Sequence, residues 1–289
     1  MDVGVRDASL TQAGFGNAVE GLRALDLRVL EVNFPREGVV SLPATGESIA
    51  LDEAGAARYR EELSRSGIQV CAFLCAQNFG LDPVEPEIDW IVRAVRAAEA
   101  VGVPAIRIDS IMARQAELPL EERIALFADA ARRALEATEG CAVRLGIENH
   151  GLQGNDPAWM DGVLQGVDHP RLGLTLDLGN WYWFGHPLST VYEIYAKYAP
   201  RTVHTHVKSI RYPQELREQR REIGYRYGEY CCPLDEGDLD FARAIRILRE
   251  NGYDGDLVIE DESLGKFAPE ERAGVLRRDV ATLRRAIGD

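Results

Sequence analysis

The chain has 289 residues, 33 Lys plus Arg against 47 Asp plus Glu, a formal charge of −14 and an apolar fraction of 46%, which is material for a large buried core. An acidic surface repels phosphate backbones and anionic bilayer faces, and no basic groove is legible, so neither a nucleic-acid partner nor a membrane is expected. The segment MDVGVRDASL shows no basic run followed by an apolar one, and the longest uncharged stretch, 66–81, is broken by Gln77, Asn78 and Gly80. Five cysteines suit a reducing compartment better than a disulfide framework, so a cytoplasmic location is expected. Cys71/Cys75 and Cys231/Cys232 lack zinc-ribbon spacing and read as small buried residues.

Taken in chain order, apolar runs at 3–6 and 28–32 open the pattern, and the segment before Gly67 feeds a third at 68–74. A helix over 87–101, with Ile88, Ile91, Val92, Val95 and Ala98 at helical spacing, stops at Gly102 before AIRID at 105–109. A second, over 120–138, repeats Ile124, Phe127, Ala128, Ala131 and Leu135 and stops at Gly140 before the run at 142–148. Runs at 172–177 and 202–207 follow, then a helix over 240–251, Gly252, a run at 257–260 and a last helix over 269–287. Glycine just past a helix supplies its left-handed stop, and short apolar runs suit parallel strands covered on both faces. Eight strands alternating with helices predict an α/β fold, one (β/α)8 TIM barrel spanning 1–289. The rival, a doubly wound open sheet, would want a GxGxxG turn after a strand, and none is present. The long connections 33–50 and 208–239 follow strands two and seven, on the face where barrels place their active sites.

Four consecutive strands end in a metal-type side chain: Glu148 in RLGIENHG, Asp177 in LTLDLGN, His206 in VHTHVK and Glu260 in LVIEDES. The first two intervals are equal and about one βα unit each, and the third adds the long loop after strand seven. Three carboxylates gathered beside an apolar core cost several kcal/mol each unless a positive charge sits among them. One divalent cation is the simplest solution, and oxygen donors plus one imidazole suit Mn²⁺ first, with Mg²⁺, Co²⁺ or Zn²⁺ as alternatives. His204 shares a strand and a face with His206, so one of the two is expected only to pack.

These motifs resemble the sugar phosphate isomerase/epimerase superfamily, the xylose isomerase-like TIM barrels. The resemblance is carried by IENHG (147–151), LDLGN (176–180), HTHVKS (204–209) and PLDEGDLDFARAIRILRENGYDGDLVIEDES (233–263), and it extends over nearly the whole chain. It implies a metal held by Glu148, Asp177, the second histidine of the HxH, His206, and Glu260, with Glu148 and Glu260 flanking the substrate and passing the proton. The sequence departs from sugar epimerases of the family at Asn180, where they often carry histidine.

Around this quartet, His150 projects to the same side as Glu148 and either binds a substrate hydroxyl and relays a proton or supports the ligands by a hydrogen bond. Lys208 is expected to neutralise an enolate or grip a carboxylate. Arg107, if it faces the lumen, binds an anionic substrate group; otherwise it is a structural ion pair. With Asn180 these are the candidate substrate contacts. Trp181, Trp183 and Phe184 suit either an apolar wall against a sugar face or packing beneath a lid. His169 and His186 read as ordinary polar residues, and Glu31, at the end of strand two, as a support behind the ligands.

The expected chemistry is isomerisation or epimerisation of a small sugar or keto-polyol by proton transfer beside a carbonyl, through an enediolate that the cation stabilises. A non-phosphorylated substrate is favoured, since no phosphate-gripping Gly-rich loop is present. If a β-oxygen leaves instead, the enzyme is a lyase, a dehydratase of a keto-sugar or of a 3-dehydroshikimate-like substrate. An endonuclease IV-like DNA repair enzyme would need more histidines and a basic groove than this chain offers. A barrel that binds a ligand without turnover would be expected to lose such costly buried carboxylates. The oligomeric state is not legible in the sequence; dimers are common for such barrels, and a homodimer is the assembly that the resemblance suggests.

Overall fold

Eight parallel strands close on themselves in the computed structural model, which describes residues 1–113 and 117–288. They are β1 (Val3–Arg6), β2 (Val29–Asn33), β3 (Gln69–Cys75), β4 (Ala105–Ile108), β5 (Arg144–Glu148), β6 (Leu172–Asp177), β7 (Thr202–Val207) and β8 (Leu257–Ile259). Each pairs with its neighbour in sequence, and β8 pairs with β1 to complete the single (β/α)8 TIM barrel.

The core lies between the barrel wall and the surrounding helices, with Val5, Ile106, Leu145, Leu174 and Ile259 fully buried. The helix Glu85–Val101 buries Ile88, Ile91, Val95 and Ala98 and stops at Gly102, whose φ of 91° is the left-handed conformation that disfavours a side chain. The helix Leu120–Glu136 buries Phe127, Ala131 and Leu135 and stops short of 138, where the backbone tightens: the Thr138 amide donates to the Leu135 carbonyl at 3.3 Å and the Glu139 amide to the Glu136 carbonyl at 3.1 Å.

The strand ends differ from the sequence pattern for local reasons. The fourth strand stops at Ile108 because the Asp109 amide donates to Gln77 Oε1 at 2.7 Å instead of to the ladder. The fifth starts at Arg144, since the Ala142 amide is taken by the Glu99 carboxylate at 2.9 Å. Residues 33–50 fold into a hairpin, Val39–Ser41 against Ser48–Ala50. Residues 208–239 place the short helix Tyr227–Tyr230 beside the barrel mouth, where the Tyr227 hydroxyl donates to Glu262. Arg221 fastens this segment from within: its guanidinium donates to the carbonyls of Leu216, Tyr182 and His186 and lies between the rings of Tyr182 and Tyr212. No described helix is long and apolar enough to cross a membrane, and all five cysteines are unpaired.

Candidate metal centre

Glu148, Asp177 and His206 are buried at the C-terminal ends of β5, β6 and β7, and Glu260 follows β8. Each offers one ligand atom, and these atoms lie within 4.8 Å of one another. Barrel register explains the convergence: Asp177 is the cross-strand partner of His206, and the Glu260 amide donates to the Val207 carbonyl at 2.9 Å. The four are therefore delivered to one layer of the barrel.

The LDLGN sequence sets the aspartate. Asp177 Oδ1 accepts from the amides of Gly179 and Asn180, both at 2.7 Å, which leaves Oδ2 turned to the cluster. Glycine is required at 179, because a Cβ there would lie 2.5 Å from Lys208 Cγ. His206 is held from behind: its Nε2 lies 2.8 Å from Glu31 Oε1, and Nδ1 faces Glu148 Oε1 at 3.3 Å and Glu260 Oε2 at 3.4 Å. A carboxylate behind a histidine fixes the ring and makes its far nitrogen a better ligand. Two buried atoms of this cluster, His206 Nδ1 and Asp177 Oδ2, have charged neighbours, Glu148 and Glu260 for the first and Lys208 for the second, but no partner in hydrogen-bond geometry. A divalent cation among one nitrogen and three carboxylates would give both a directed partner. The donor set fits the ion.

Charge around the quartet is tightly paired. Arg107 donates through Nε and Nη2 to Glu148 Oε2, while Glu148 Oε1 accepts from Asn180 Nδ2 at 3.2 Å. Burial opposes the charge on Glu148, but Arg107 and His206 outweigh it and hold the carboxyl well below its usual range. Glu260 Oε1 is bound by Arg6 and Oε2 by Lys208 at 3.1 Å. Burial raises Asp177 above the ordinary carboxylate value despite Lys208, whose Nζ is 3.2 Å from Oδ2. Burial also works against protonation of His206, yet Glu31 and Glu148 bring it up to about 9 in the metal-free protein.

A second layer of contacts lies to one side. Arg107 Nη1 is 2.9 Å from Asp109 Oδ2, and Asp109 Oδ1 is 2.8 Å from Nδ1 of His150. His150 keeps 42% of its side chain exposed, and its bond to Asp109 raises its pKa against the effect of burial. Asp109, Glu148 and His150 are spaced closely enough to hold an ion themselves, but the Arg107 guanidinium lies against both carboxylates. The triad Glu31, His204 and His206 is closed by its own hydrogen bonds, with His204 Nε2 also 2.8 Å from Glu31 Oε1.

The structure brings together every residue read as a ligand, and sets Arg107, His150, Asn180 and Lys208 around them. Arg107 faces the lumen, where its partners are Glu148 and Asp109; Asn180 touches Glu148. Trp181 is fully buried and stacks on Tyr198, so it presents no face to a sugar. His186 stacks on Phe184, and His169 accepts from the Arg171 amide through Nδ1. Arg6, Asp109 and Glu262 were missed. Asp109 shares the alternation of Glu148 and His150, two residues after Arg107, and was legible on that ground; Arg6 and Glu262 gave no comparable signal.

Known proteins place this arrangement in context. The profile of the xylose isomerase-like TIM barrel family matches residues 22–286. Among curated proteins, the inosose dehydratase of Clostridium beijerinckii is 30% identical over 151 residues, covering 49% of this chain and 48% of that one. The inosose dehydratase of Clostridium botulinum is 33% identical over 108 residues, covering 36% and 35% respectively. The chain thus matches about half or less of the length of these relatives. Among solved structures, the IolI protein with a bound zinc atom superposes with a TM-score of 0.73 at 14% identity, covering 99% of both chains. YcjR from E. coli, a 3-keto-D-glucoside 4-epimerase, superposes with a TM-score of 0.71 at 15% identity, also covering 99% of both. At such identities these two structures speak for the fold.

Proposed function

Because the chain belongs to the xylose isomerase-like TIM barrel family, we propose that it is a divalent-metal-dependent enzyme that removes the proton beside a ketone and expels a β-hydroxyl as water. The observation that carries this reading is the pairing of Asp109 with a half-exposed His150 beside two carboxylates whose oxygens are already engaged. Epimerisation at one carbon asks for two groups on opposite faces, each free to take and return a proton. Glu148 has Arg107 on one oxygen and Asn180 on the other, and Glu260 has Arg6 and Lys208. Such carboxylates are good ligands and poor bases. His150, oriented through Nδ1 by Asp109, keeps Nε2 for the substrate.

A cation held by Glu148, Asp177, His206 and Glu260 would supply polarisation of the ketone oxygen. His150 takes the α-proton, the C–H electron pair forms the carbon–carbon double bond, and the β C–O bond breaks. The hydroxyl departs with that proton as water, so the step balances without an oxidant. Lys208, 3% exposed among carboxylates, adds positive charge beside the developing enolate. The named dehydratase relatives support this outcome.

Isomerisation or epimerisation is the second reading, favoured by one feature: Glu148 Oε1 and Glu260 Oε2 approach the same His206 nitrogen, at 3.3 and 3.4 Å, and so flank a common space. The deciding experiment incubates the metal-loaded protein with inososes and 3-keto-glucosides in deuterated water. A conjugated enone absorbing in the ultraviolet supports elimination. A product that keeps every oxygen and gains deuterium next to the carbonyl replaces it with the isomerase/epimerase reading.

A further inference from the structure

Among the described residues, three Lys and Arg side chains reach the metal centre, and each already has carboxylate partners. Arg107 is held by Glu148 and Asp109, Arg6 by Glu31 and Glu260, and Lys208 by Asp177, Glu260 and Glu262. Six carboxylates therefore face three cations, and a divalent ion would still leave the centre without excess positive charge.

Lys208 is the cation whose partners would change most when the ion binds, because Asp177 and Glu260 are both candidate ligands. Its remaining partner is Glu262, whose Oε1 lies 2.5 Å from Nζ. The other oxygen of Glu262 accepts from the Tyr227 hydroxyl at 2.7 Å, so the carboxylate is fixed from two directions, yet 39% of its side chain is exposed. A carboxylate offers about four acceptor sites, and Lys208 and Tyr227 use two. The outward sites suit donors arriving from solvent. Sugar hydroxyls are such donors; phosphate and carboxylate groups bring a like charge against it.

We infer that Glu262, pinned by Tyr227, shields Lys208 from anions and accepts substrate hydroxyls, so that this site takes an uncharged polyhydroxy ketone and rejects phosphorylated or carboxylated ones. The inference rests on the ketone chemistry proposed above and adds a specificity-determining residue to it. It also separates two classes within that chemistry, since an inosose is neutral and a dehydroshikimate-like acid is not.

The test compares the metal-loaded wild-type chain with Glu262→Gln, using inorganic phosphate as the probe in calorimetric titrations and as an inhibitor of turnover. The glutamine keeps the size and an acceptor oxygen but removes the charge. Phosphate should bind the variant at least tenfold more tightly than the wild type. Tyr227→Phe, which frees Glu262 without neutralising it, should give a smaller change of the same sign and serves if the first variant folds poorly. Equal phosphate affinity in all three proteins, or a higher kcat/KM of the wild type for a phosphorylated or carboxylated ketone than for its neutral counterpart, overturns the inference. Failure to process any ketone in deuterated water would instead refute the proposed chemistry, and the phosphate titrations would still decide the role of Glu262.

Discussion

Glu31 Oε1 stands 2.8 Å from Nε2 of His206, on the edge of the ring opposite the nitrogen that faces Glu148 and Glu260. The same oxygen is 2.8 Å from His204, so one buried carboxylate holds both histidines of the HTH sequence. Because only His206 reaches the ligand cluster, His204 acts through Glu31, as a brace that keeps the carboxylate aimed.

Glu31→Gln should therefore weaken metal binding without removing a ligand. Loss of such a supporting partner typically costs 10–100-fold in affinity. Glu260→Gln, which alters a ligand itself, should weaken it further and abolish turnover, with the far-ultraviolet circular dichroism unchanged. Chelator competition on the purified protein measures both. Wild type is expected to hold about one divalent ion per chain and to lose activity in EDTA; an ion-free protein whose activity ignores EDTA would refute the metal centre.

Asp109→Asn and His150→Gln should behave alike if the two act as one unit. Either should lower kcat by about 10²–10⁴-fold, the usual worth of a positioned acid–base group, while leaving metal content near that of wild type. A merely structural role for Asp109 would show instead as a lower melting temperature with kcat nearly intact. Lys208→Met should slow turnover by about 10²–10³-fold, since a buried cationic donor beside developing negative charge is removed. A Lys208 variant with normal kcat would place the lysine outside the reaction.

The barrel and its quartet were legible because both are periodic. Strand-end ligands recur with each βα unit, and an inward-facing residue at a strand end has few neighbours other than its counterparts on adjacent strands. The partners of those ligands follow a different logic. Arg6 and Glu31 meet as cross-strand neighbours on β1 and β2, yet Arg6 also reaches Glu260, at the far end of the chain. Such closure of first strand against last is visible only once the barrel is built. Glu262 and Tyr227 meet because an irregular loop folds over the mouth, and no periodicity reports that. Arg107 left two alternatives open in the sequence, lumen-facing anion binder or structural ion pair; it faces the lumen and its partners are the protein's own carboxylates.

A final prediction concerns stability rather than catalysis. Asp279, in the last helix, is fully buried; its Oδ1 accepts from the Leu234 amide at 2.8 Å and its Oδ2 has no hydrogen-bond partner. Asp261, which follows the ligand Glu260, is also buried: its Oδ1 accepts from the Ser263 amide at 2.6 Å, and only a proton on one of the two carboxyls lets them hydrogen-bond to each other. Burial first, and then the neighbouring Asp261, push the Asp279 carboxyl up to about 9. The folded protein therefore keeps a proton there that the unfolded chain releases near its ordinary value of 3.8. The contribution to stability is fully present below that ordinary value and falls as pH rises toward 9, at about 1.4 kcal/mol per pH unit. Asp279→Asn removes this titration and supplies an N–H donor toward Asp261 Oδ2. Its melting temperature relative to wild type should rise steadily between pH 5 and about pH 9. Parallel melting curves for the two proteins across that interval would mean that Asp279 is ionised in the fold, its charge met by a partner the carboxylate pair does not provide.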